Sequence, residues 1–182
     1  MNKWGFKVLI GVLFVTLAFG GMAMAQTTKQ AKEPAKAAAK KTMDMAIIVV
    51  DLQGDFTKAK KGALAVEGTD DAYIKSVADT TAKLKAAGFP IYATQDWHPA
   101  THASFAVNHQ GKKPFDVIKL HGKDQVLWPP HCVQNTPGAE ILLDKKLFKA
   151  VVRKGMDAQF DSYSGFQDDG GKKTEMDKIL KK

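Results

Sequence analysis

Cysteine is scarce in this sequence: Cys132 is the only one among 182 residues. A disulfide within one chain is therefore excluded, and the fold must rest on packing together with any bound metal. Hydrophobic runs long enough to cross a bilayer are also lacking. The most apolar run, residues 8–19, is shorter than the roughly 20 residues that a spanning helix needs.

The apolar run at residues 8–19 has the features of a secretory signal peptide. It follows the basic leader MNKWGFK and precedes the small-residue sequence AMA at 23–25. These features predict a signal peptide over residues 1–25, cleavage after Ala25, and a secreted or periplasmic protein with no membrane attachment after cleavage. An uncleaved membrane anchor is the alternative interpretation.

Residues 26–44 contain almost no side chain that could build a core, since Met43 is their only large apolar residue. They are predicted to be a Lys/Ala-rich disordered tether ahead of a domain at 45–182. Residues 1–44 hold seven lysines and two acids, so they carry +5 of the formal charge of +8 and leave +3 for the domain. The domain lacks a basic stripe with interleaved aromatic residues, so nucleic acid is not an expected partner.

The domain alternates between strand and helix patterns. Apolar, β-branched runs favour strands, and apolar residues at helical spacing favour helices. The predicted strands are 45–51, 89–97 and 148–155, and the predicted helices are 70–88, 139–147 and 174–182. This order is typical of a three-layer α/β fold, in which a parallel sheet has helices on both faces. In such sheets ligands bind beyond the carboxyl ends of the strands.

Metal-ligating residue types follow the second predicted strand. The sequence DWHPATH places Asp96, His98 and His102 close together, and WPPHCV adds His131. One carboxylate and up to three imidazoles suit Zn²⁺, Fe²⁺ or Mn²⁺ better than Ca²⁺. A lone histidine of this kind is more often a cap or a surface residue. The metal-site prediction therefore depends on the position of these residues after a buried strand.

The other two predicted strands also end in ionisable residues, Asp51 and Lys154. If the two side chains face each other, each shifts the pKa of the other, so they form a candidate proton-handling pair. A strand-end cap and a solvent-exposed lysine are the alternatives. Phe56 and Trp128 lie near these motifs; aromatic residues pack in cores by default, but two beside a polar site could also sandwich a flat ring.

Five motifs, taken together, resemble one enzyme family. They occur in the order IIVVDLQGDF, GALAVEG, ATQDWHPATHASFA, WPPHCVQNTPGAE and KG…DSYSGF, and the match covers nearly all of residues 46–180. The set resembles the nicotinamidase/pyrazinamidase family of the isochorismatase-like hydrolases, whose fold is Rossmann-like. Gly54 departs from the asparagine that is usual in the family. The signal peptide also departs from the pattern, because family members are typically cytosolic.

The resemblance implies an activity, a substrate and a cofactor. The family hydrolyses nicotinamide, or a similar pyridine or pyrazine carboxamide, to the acid and ammonia in NAD salvage. By resemblance, Asp96, His98 and His131 are the metal ligands, with His102 as a further ligand in some members. The metal, zinc or alternatively iron or manganese, would hold the ring nitrogen of the substrate.

The resemblance also implies a catalytic triad, of which this sequence carries two members. Asp51 resembles the general base and Lys154 its cationic partner, while Phe56 and Trp128 resemble the residues that stack on the ring. The nucleophilic cysteine of the family lies in a later segment of the form G-x-A-T-D-Y-C-V, which this sequence does not contain. We therefore expect a chain that is truncated before that segment, lacks the C-terminal strands and is inactive alone.

Cys132 directly follows the expected metal ligand His131. Neighbouring side chains on an extended segment point to opposite sides, so Cys132 is expected to face away from the substrate as a small apolar filler.

Two function classes remain open at this point. The first is a nicotinamidase-type amidohydrolase that needs a complementing C-terminal fragment. The second is a non-catalytic exported protein that retains metal and pyridine binding; a fragment of a split or frameshifted gene is a weaker third possibility. In either case the strand AIIVVD would have an open edge, which favours a homo-oligomer.

Overall fold

The computed structural model of the protein describes residues 45–181. The predicted signal peptide and tether lie outside these residues. At the centre of the fold is a parallel sheet of three strands: β1 (Ile47–Val49), β2 (Ile91–Asp96) and β5 (Ala150–Lys154), in the order β1-β2-β5. The three predicted strands are confirmed, each shorter than expected.

The central strand β2 determines which side chains meet at the site. All six of its residues are buried, as expected for a parallel strand that is covered on both faces. In the register of the sheet, Asp96 lies beside Lys154 on β5. Side chains alternate along a strand, so Thr94 and Asp96 share one face of the sheet with Lys154.

The opposite face of the sheet carries a hydrophobic core under helix α1 (Asp71–Ala86). The carboxylate of Asp70 caps this helix, because Oδ1 accepts a hydrogen bond of 2.8 Å from the backbone N–H of Tyr73. The helix packs on the core through Val77 and Ala78, which contact Ala93 and its neighbours. The predicted helix 70–88 is therefore confirmed.

The predicted helix at 139–147 is wrong. This stretch instead has short 3-10 turns at Pro137–Ala139 and Lys145–Leu147, with an extended segment between them. Residues 140–142 pair with the loop after β1: the N–H of Leu142 donates to the carbonyl of Leu52 (2.9 Å), and Ile141 forms an antiparallel bridge with Gln53. An α-helix would need the same backbone groups, so the long-range pairing replaces it.

The remaining elements are small. Strands β3 (Val117–Leu120) and β4 (Lys123–Val126) form an antiparallel hairpin that the sequence reasoning missed. Helix α2 (Met176–Leu180) forms where a helix was predicted, but it spans only five residues. The fold is of the α/β class with a parallel sheet, as predicted. Within residues 45–181, no helix has the length and apolar character that a membrane crossing requires.

Candidate active site and metal centre

Lys154 is a buried cation that links two carboxylates at the carboxyl ends of the strands. Its Nζ atom lies 3.0 Å from Oδ2 of Asp51 and 2.5 Å from Oδ1 of Asp96. It also donates a hydrogen bond of 2.9 Å to the carbonyl oxygen of Ser162. The predicted pairing of Asp51 with Lys154 is present, and Asp96 joins it.

The three charged groups shift one another's pKa values. Burial alone would lower the pKa of Lys154, but the two carboxylates outweigh it and raise this pKa, so the side chain stays cationic. Burial raises the pKa of Asp51, and Lys154 opposes this only in part. Burial would also raise the pKa of Asp96, but the adjacent ring of His98, whose Nε2 lies 3.7 Å from Oδ2 of Asp96, and the charge of Lys154 lower it. Asp96 therefore stays ionised, while Asp51 holds a proton more readily.

Asp51 is held in an unusual backbone conformation. Its φ angle is 47°, in the left-handed region that aspartate tolerates better than most residues. Thr94 fixes the side chain, because its hydroxyl donates to Oδ1 of Asp51 at 2.6 Å and accepts from the backbone N–H of Asp51 at 3.2 Å. Thr94 was missed by the sequence reasoning, since nothing in the pattern ATQD distinguishes it from an ordinary strand residue.

Asp96, His98 and His131 form a group that could hold a metal ion. One ligand atom from each residue lies within 4.8 Å of the other two, and all three residues are buried. Nδ1 of His98 pairs with the carbonyl oxygen of Gly155, and Nδ1 of His131 pairs with that of Pro129, each at 2.9 Å. Metal-binding histidines usually make such a bond with one ring nitrogen and bind the metal with the other. The site therefore fits a divalent ion with two nitrogens and one carboxylate.

Gly155 allows the backbone to approach His98 this closely. A Cβ atom at Gly155 would lie 2.3 Å from Cε1 of His98, and the φ angle of Gly155 is +64°. The glycine that follows Lys154 thus allows the close packing that holds the ring of His98, a candidate metal ligand.

His102 lies beside this group but is not a member of it. Its ring centroid is 4.4 Å from that of His98, and its two nitrogens pair with Oγ of Ser104 (2.8 Å) and the carbonyl oxygen of Phe160 (3.2 Å). Burial and the neighbouring His98 lower the pKa of His102 to about 4, so its ring is neutral near pH 7. The role of His102 as a fourth ligand stays a prediction.

Phe56 and Trp128 both lie next to the segment that carries His131. The ring of Phe56 is 5.6 Å from the imidazole of His131. Trp128 is half-buried, and its Nε1 donates to the hydroxyl of Tyr163 at 3.2 Å. Their stacking on a substrate ring stays a prediction.

Phe105 is an aromatic residue of the site that the sequence reasoning missed. It is fully buried, and its ring centroid lies 5.4 to 5.5 Å from the imidazoles of His98, His102 and His131. The motif HASFA contains Phe105, but an aromatic residue in a strand-like pattern predicts only a core position and gives no sign of a place in the site.

Cys132 is unsuited to be a nucleophile. It is fully buried and packs with Trp97, Ala139 and Phe56, as the prediction of a small apolar filler requires. Burial raises the pKa of its thiol, and the nearby carboxylates of Asp96 and Asp55 raise it further. The expectation of a regular extended segment was wrong, because the φ angle of Cys132 is 45°.

Comparison with known proteins identifies the family, although no protein-family model matches the chain. Over 150 residues the chain is 34% identical to the nicotinamidase of Saccharomyces cerevisiae, and the alignment covers 75% of this chain and 68% of the yeast protein. The chain belongs to the nicotinamidase family. It is also 44% identical over 131 residues to the nicotinamidase of Acinetobacter baylyi, with 71% of this chain aligned. It spans 58% of the length of that relative.

Solved nicotinamidase structures agree with this assignment. A structure of the yeast nicotinamidase bound to the inhibitor nicotinaldehyde matches with a TM-score of 0.67 at 33% identity, over 75% of this chain and 68% of the other. The pyrazinamidase of Pyrococcus horikoshii in complex with zinc matches with a TM-score of 0.56 at 39% identity, over 75% of this chain and 63% of the other. The resemblance inferred from the five motifs is confirmed.

Proposed function

We propose that this chain provides the metal-binding and proton-handling part of a nicotinamidase-type amidohydrolase. The reaction would convert nicotinamide, or a similar pyridine or pyrazine carboxamide, to the acid and ammonia. The observation that carries the proposal is the position of Lys154, whose Nζ contacts both the candidate base Asp51 and the candidate ligand Asp96. Family membership and the nicotinaldehyde bound to the yeast relative support the substrate class.

The proposed cofactor is a zinc ion held by Asp96, His98 and His131, with iron or manganese as alternatives. The donor set fits such an ion, and the relative from Pyrococcus horikoshii was solved with zinc. When bound, the ion would hold the ring nitrogen of the substrate.

The residues of this chain would then divide the remaining work. Asp51 would accept the proton of the nucleophile, since its raised pKa makes it a better proton acceptor than an ordinary aspartate. Lys154 would keep Asp51 in place and keep Asp96 ionised. Phe56 and Trp128 would hold the flat ring of the substrate between them.

The nucleophile is the part that we propose must come from outside these 182 residues. Amide cleavage by this route needs a thiolate and donors for the oxyanion that forms. The single thiol, that of Cys132, is buried, and its pKa is raised. This chain alone is therefore expected to be inactive, and a further segment, on the same or on a complementing chain, would supply the thiol.

A second candidate function is a non-catalytic exported protein that binds a metal and a pyridine. Two observations favour it. The chain has the candidate ligands Asp96, His98 and His131 together with Phe56 and Trp128, and the part of the chain that the structure describes has no accessible thiol. Binding of nicotinamide by the chain, without activity in any extended or complemented form, would select this candidate.

Export is a separate proposal, which the signal-like residues 1–25 support. The mature chain should begin at Gln26 and be found in the periplasm or outside the cell. N-terminal sequencing of the protein purified from each fraction tests this, and a retained Met1 would contradict it.

Metal analysis of the purified chain tests the metal site. The wild-type chain should contain zinc, iron or manganese, and His98→Ala should lose it. His109→Ala is the matched control, because His109 lies outside the metal group and its ring bonds the carbonyl oxygen of Ala103. Equal metal content in wild type and His98→Ala would overturn the site.

Ammonia release from nicotinamide tests the proposed activity. The chain alone should release none, and the chain extended by a family-type segment with its cysteine should be active. Asp51→Asn in the extended chain should lose the activity, whereas Cys132→Ala should keep it. Activity of the chain alone would contradict the proposal, and its loss in Cys132→Ala would identify Cys132 as the nucleophile.

A further inference from the structure

The loop that follows the candidate base also contacts the segments of two candidate metal ligands, Asp96 and His131. We propose that Gln53 and Asp55 are positioning residues, which fix the backbone of the Asp96 and His131 segments and thereby determine the affinity and geometry of the metal site. This inference rests on the metal site of the proposed function.

Gln53 fixes the backbone of Asp96 from both sides. The N–H of Asp96 donates to Oε1 of Gln53 at 2.7 Å, and Nε2 of Gln53 donates to the carbonyl oxygen of Asp96 at 2.8 Å. The same Nε2 donates to the carbonyl oxygen of Ala139 at 2.8 Å. Gln53 is fully buried, so water does not replace these bonds. With N–H and carbonyl both held, the direction of the Asp96 carboxylate follows from the position of Gln53.

Asp55 fixes the other metal-binding segment. Its Oδ2 atom accepts a hydrogen bond of 2.7 Å from the backbone N–H of Cys132, the residue next to His131. Gly138 makes room for this carboxylate, because a Cβ atom there would lie 2.1 Å from Oδ2 of Asp55. A charged acceptor makes a stronger hydrogen bond than a neutral one, which suits a segment that includes a residue with positive φ.

The two contacts reach the two segments from one short loop. Asp51, Gln53 and Asp55 alternate along the chain, and the segment is itself anchored, since the N–H of Gly54 donates to the carbonyl oxygen of Glu140 at 3.2 Å. The third ligand, His98, is held separately by the carbonyl oxygen of Gly155. The candidate base and the segments of two of the three metal ligands, Asp96 and His131, are thus held by the same short loop. Outer groups that bond the ligating side chains themselves typically change metal affinity by about 10- to 100-fold when they are lost, and we expect a change in this range for these backbone contacts.

The first test replaces Gln53 by methionine, which has a similar volume but makes none of the three hydrogen bonds. In the purified 182-residue chain, Gln53→Met should weaken zinc binding by about 10- to 100-fold in a chelator competition. The absorption bands of the Co²⁺-loaded chain should also shift, because they report ligand geometry. Gln125→Met is the matched control: Gln125 is buried and bonds Val126 and Asp161, but none of the three ligands.

The second test uses two replacements of Asp55. Asp55→Leu should weaken zinc binding, while Asp55→Asn, which keeps an oxygen in place to accept from the N–H of Cys132, should bind zinc nearly as wild type does. Because Asp55 is only half-buried, both variants should fold. The two variants therefore test the positioning role even if Gln53→Met fails to fold.

The outcomes separate this inference from the proposed function. A wild-type chain that binds none of zinc, iron and manganese would refute the metal site itself. Zinc binding by the wild type, together with unchanged affinity and Co²⁺ spectrum in Gln53→Met and Asp55→Leu, would refute only the positioning role. A purely structural role would lower the free energy of unfolding but leave the Co²⁺ spectrum of the folded variants unchanged.

Discussion

Lys154 shows at the scale of one residue how a charge is kept in the interior. Only 5% of its surface is exposed, and burial of an unpaired ammonium would be very costly. The two carboxylates and the carbonyl oxygen of Ser162 replace its water shell. Among the described residues, no buried side-chain nitrogen or oxygen lacks a hydrogen-bond partner. The buried polar groups of the site are therefore stabilised by ion pairs and hydrogen bonds within the protein rather than by contact with water.

The thiol of Cys132 should be inert in the folded chain. Alkylation requires the thiolate, and burial together with the nearby carboxylates raises the pKa of this thiol. Each unit of pKa lowers the thiolate fraction tenfold, so iodoacetamide at pH 7.5 should react at least about 100-fold more slowly than in urea. Mass spectrometry of timed samples measures both rates. Rapid labelling of the folded chain would contradict the buried position of Cys132.

Single residues differ in how far the sequence predicted them. Asp51, Asp96 and Lys154 could be predicted because ionisable residues stand out after apolar strands. Gln53 and Asp55 could not, because the role proposed for them rests on hydrogen bonds to residues 43 and 77 positions away. A buried glutamine and a surface glutamine look the same in one sequence.

At the scale of elements, helix α1 has a cap whose contribution to stability can be measured. Asp70→Ala removes the acceptor for the N–H of Tyr73 and should lower the free energy of unfolding by about 1 kcal/mol. Asp70→Asn is the control, since asparagine caps helices about as well as aspartate. Urea unfolding followed by circular dichroism gives both values. Equal losses in the two variants would show that the cap bond is not what stabilises the helix.

Strand β1 is expected to mediate self-association. In the part of the chain that the structure describes, β1 pairs only with β2, and Val50 beside it is 61% exposed. An unpaired apolar edge can pair with another chain, so light scattering should show dimers or larger species at micromolar concentration.

Val50→Lys should reduce this association, because a charge at a strand edge opposes pairing. The control is Val66→Lys, which places the same charge on a valine of similar exposure, 58%, whose backbone pairs with Thr57 and not with a strand of the parallel sheet. A wild-type chain that remains monomeric across this concentration range would contradict the prediction.

The elements also show where sequence patterns fail. Helix α1 formed as predicted because its apolar spacing and its cap agree with each other. The stretch 139–147 has a helical composition, but its backbone pairs with Leu52 and Gln53, which lie far away in the sequence. Local preference is a weak predictor when tertiary hydrogen bonds compete for the same groups.

At the scale of the whole molecule, the α/β class followed from the order of strands and helices alone. Three parallel strands that end at one edge of a sheet bring Asp51, Asp96 and Lys154 together, and this does not depend on the conformation of the connecting loops. What the order could not predict is how the loops return to the site, because that depends on individual hydrogen bonds between distant segments.

The contacts that build the site join segments that are far apart along the chain. Thr94 and Asp51 are 43 residues apart, Lys154 and Asp96 are 58 apart, and Gln53 and Ala139 are 86 apart. Each such contact closes a long loop, whose entropic cost must be met before the contact can contribute. The site should therefore assemble late in folding. Zinc added during stopped-flow refolding should leave the folding rate nearly unchanged and should slow unfolding instead. The metal would then stabilise the folded state without taking part in the nucleation of folding.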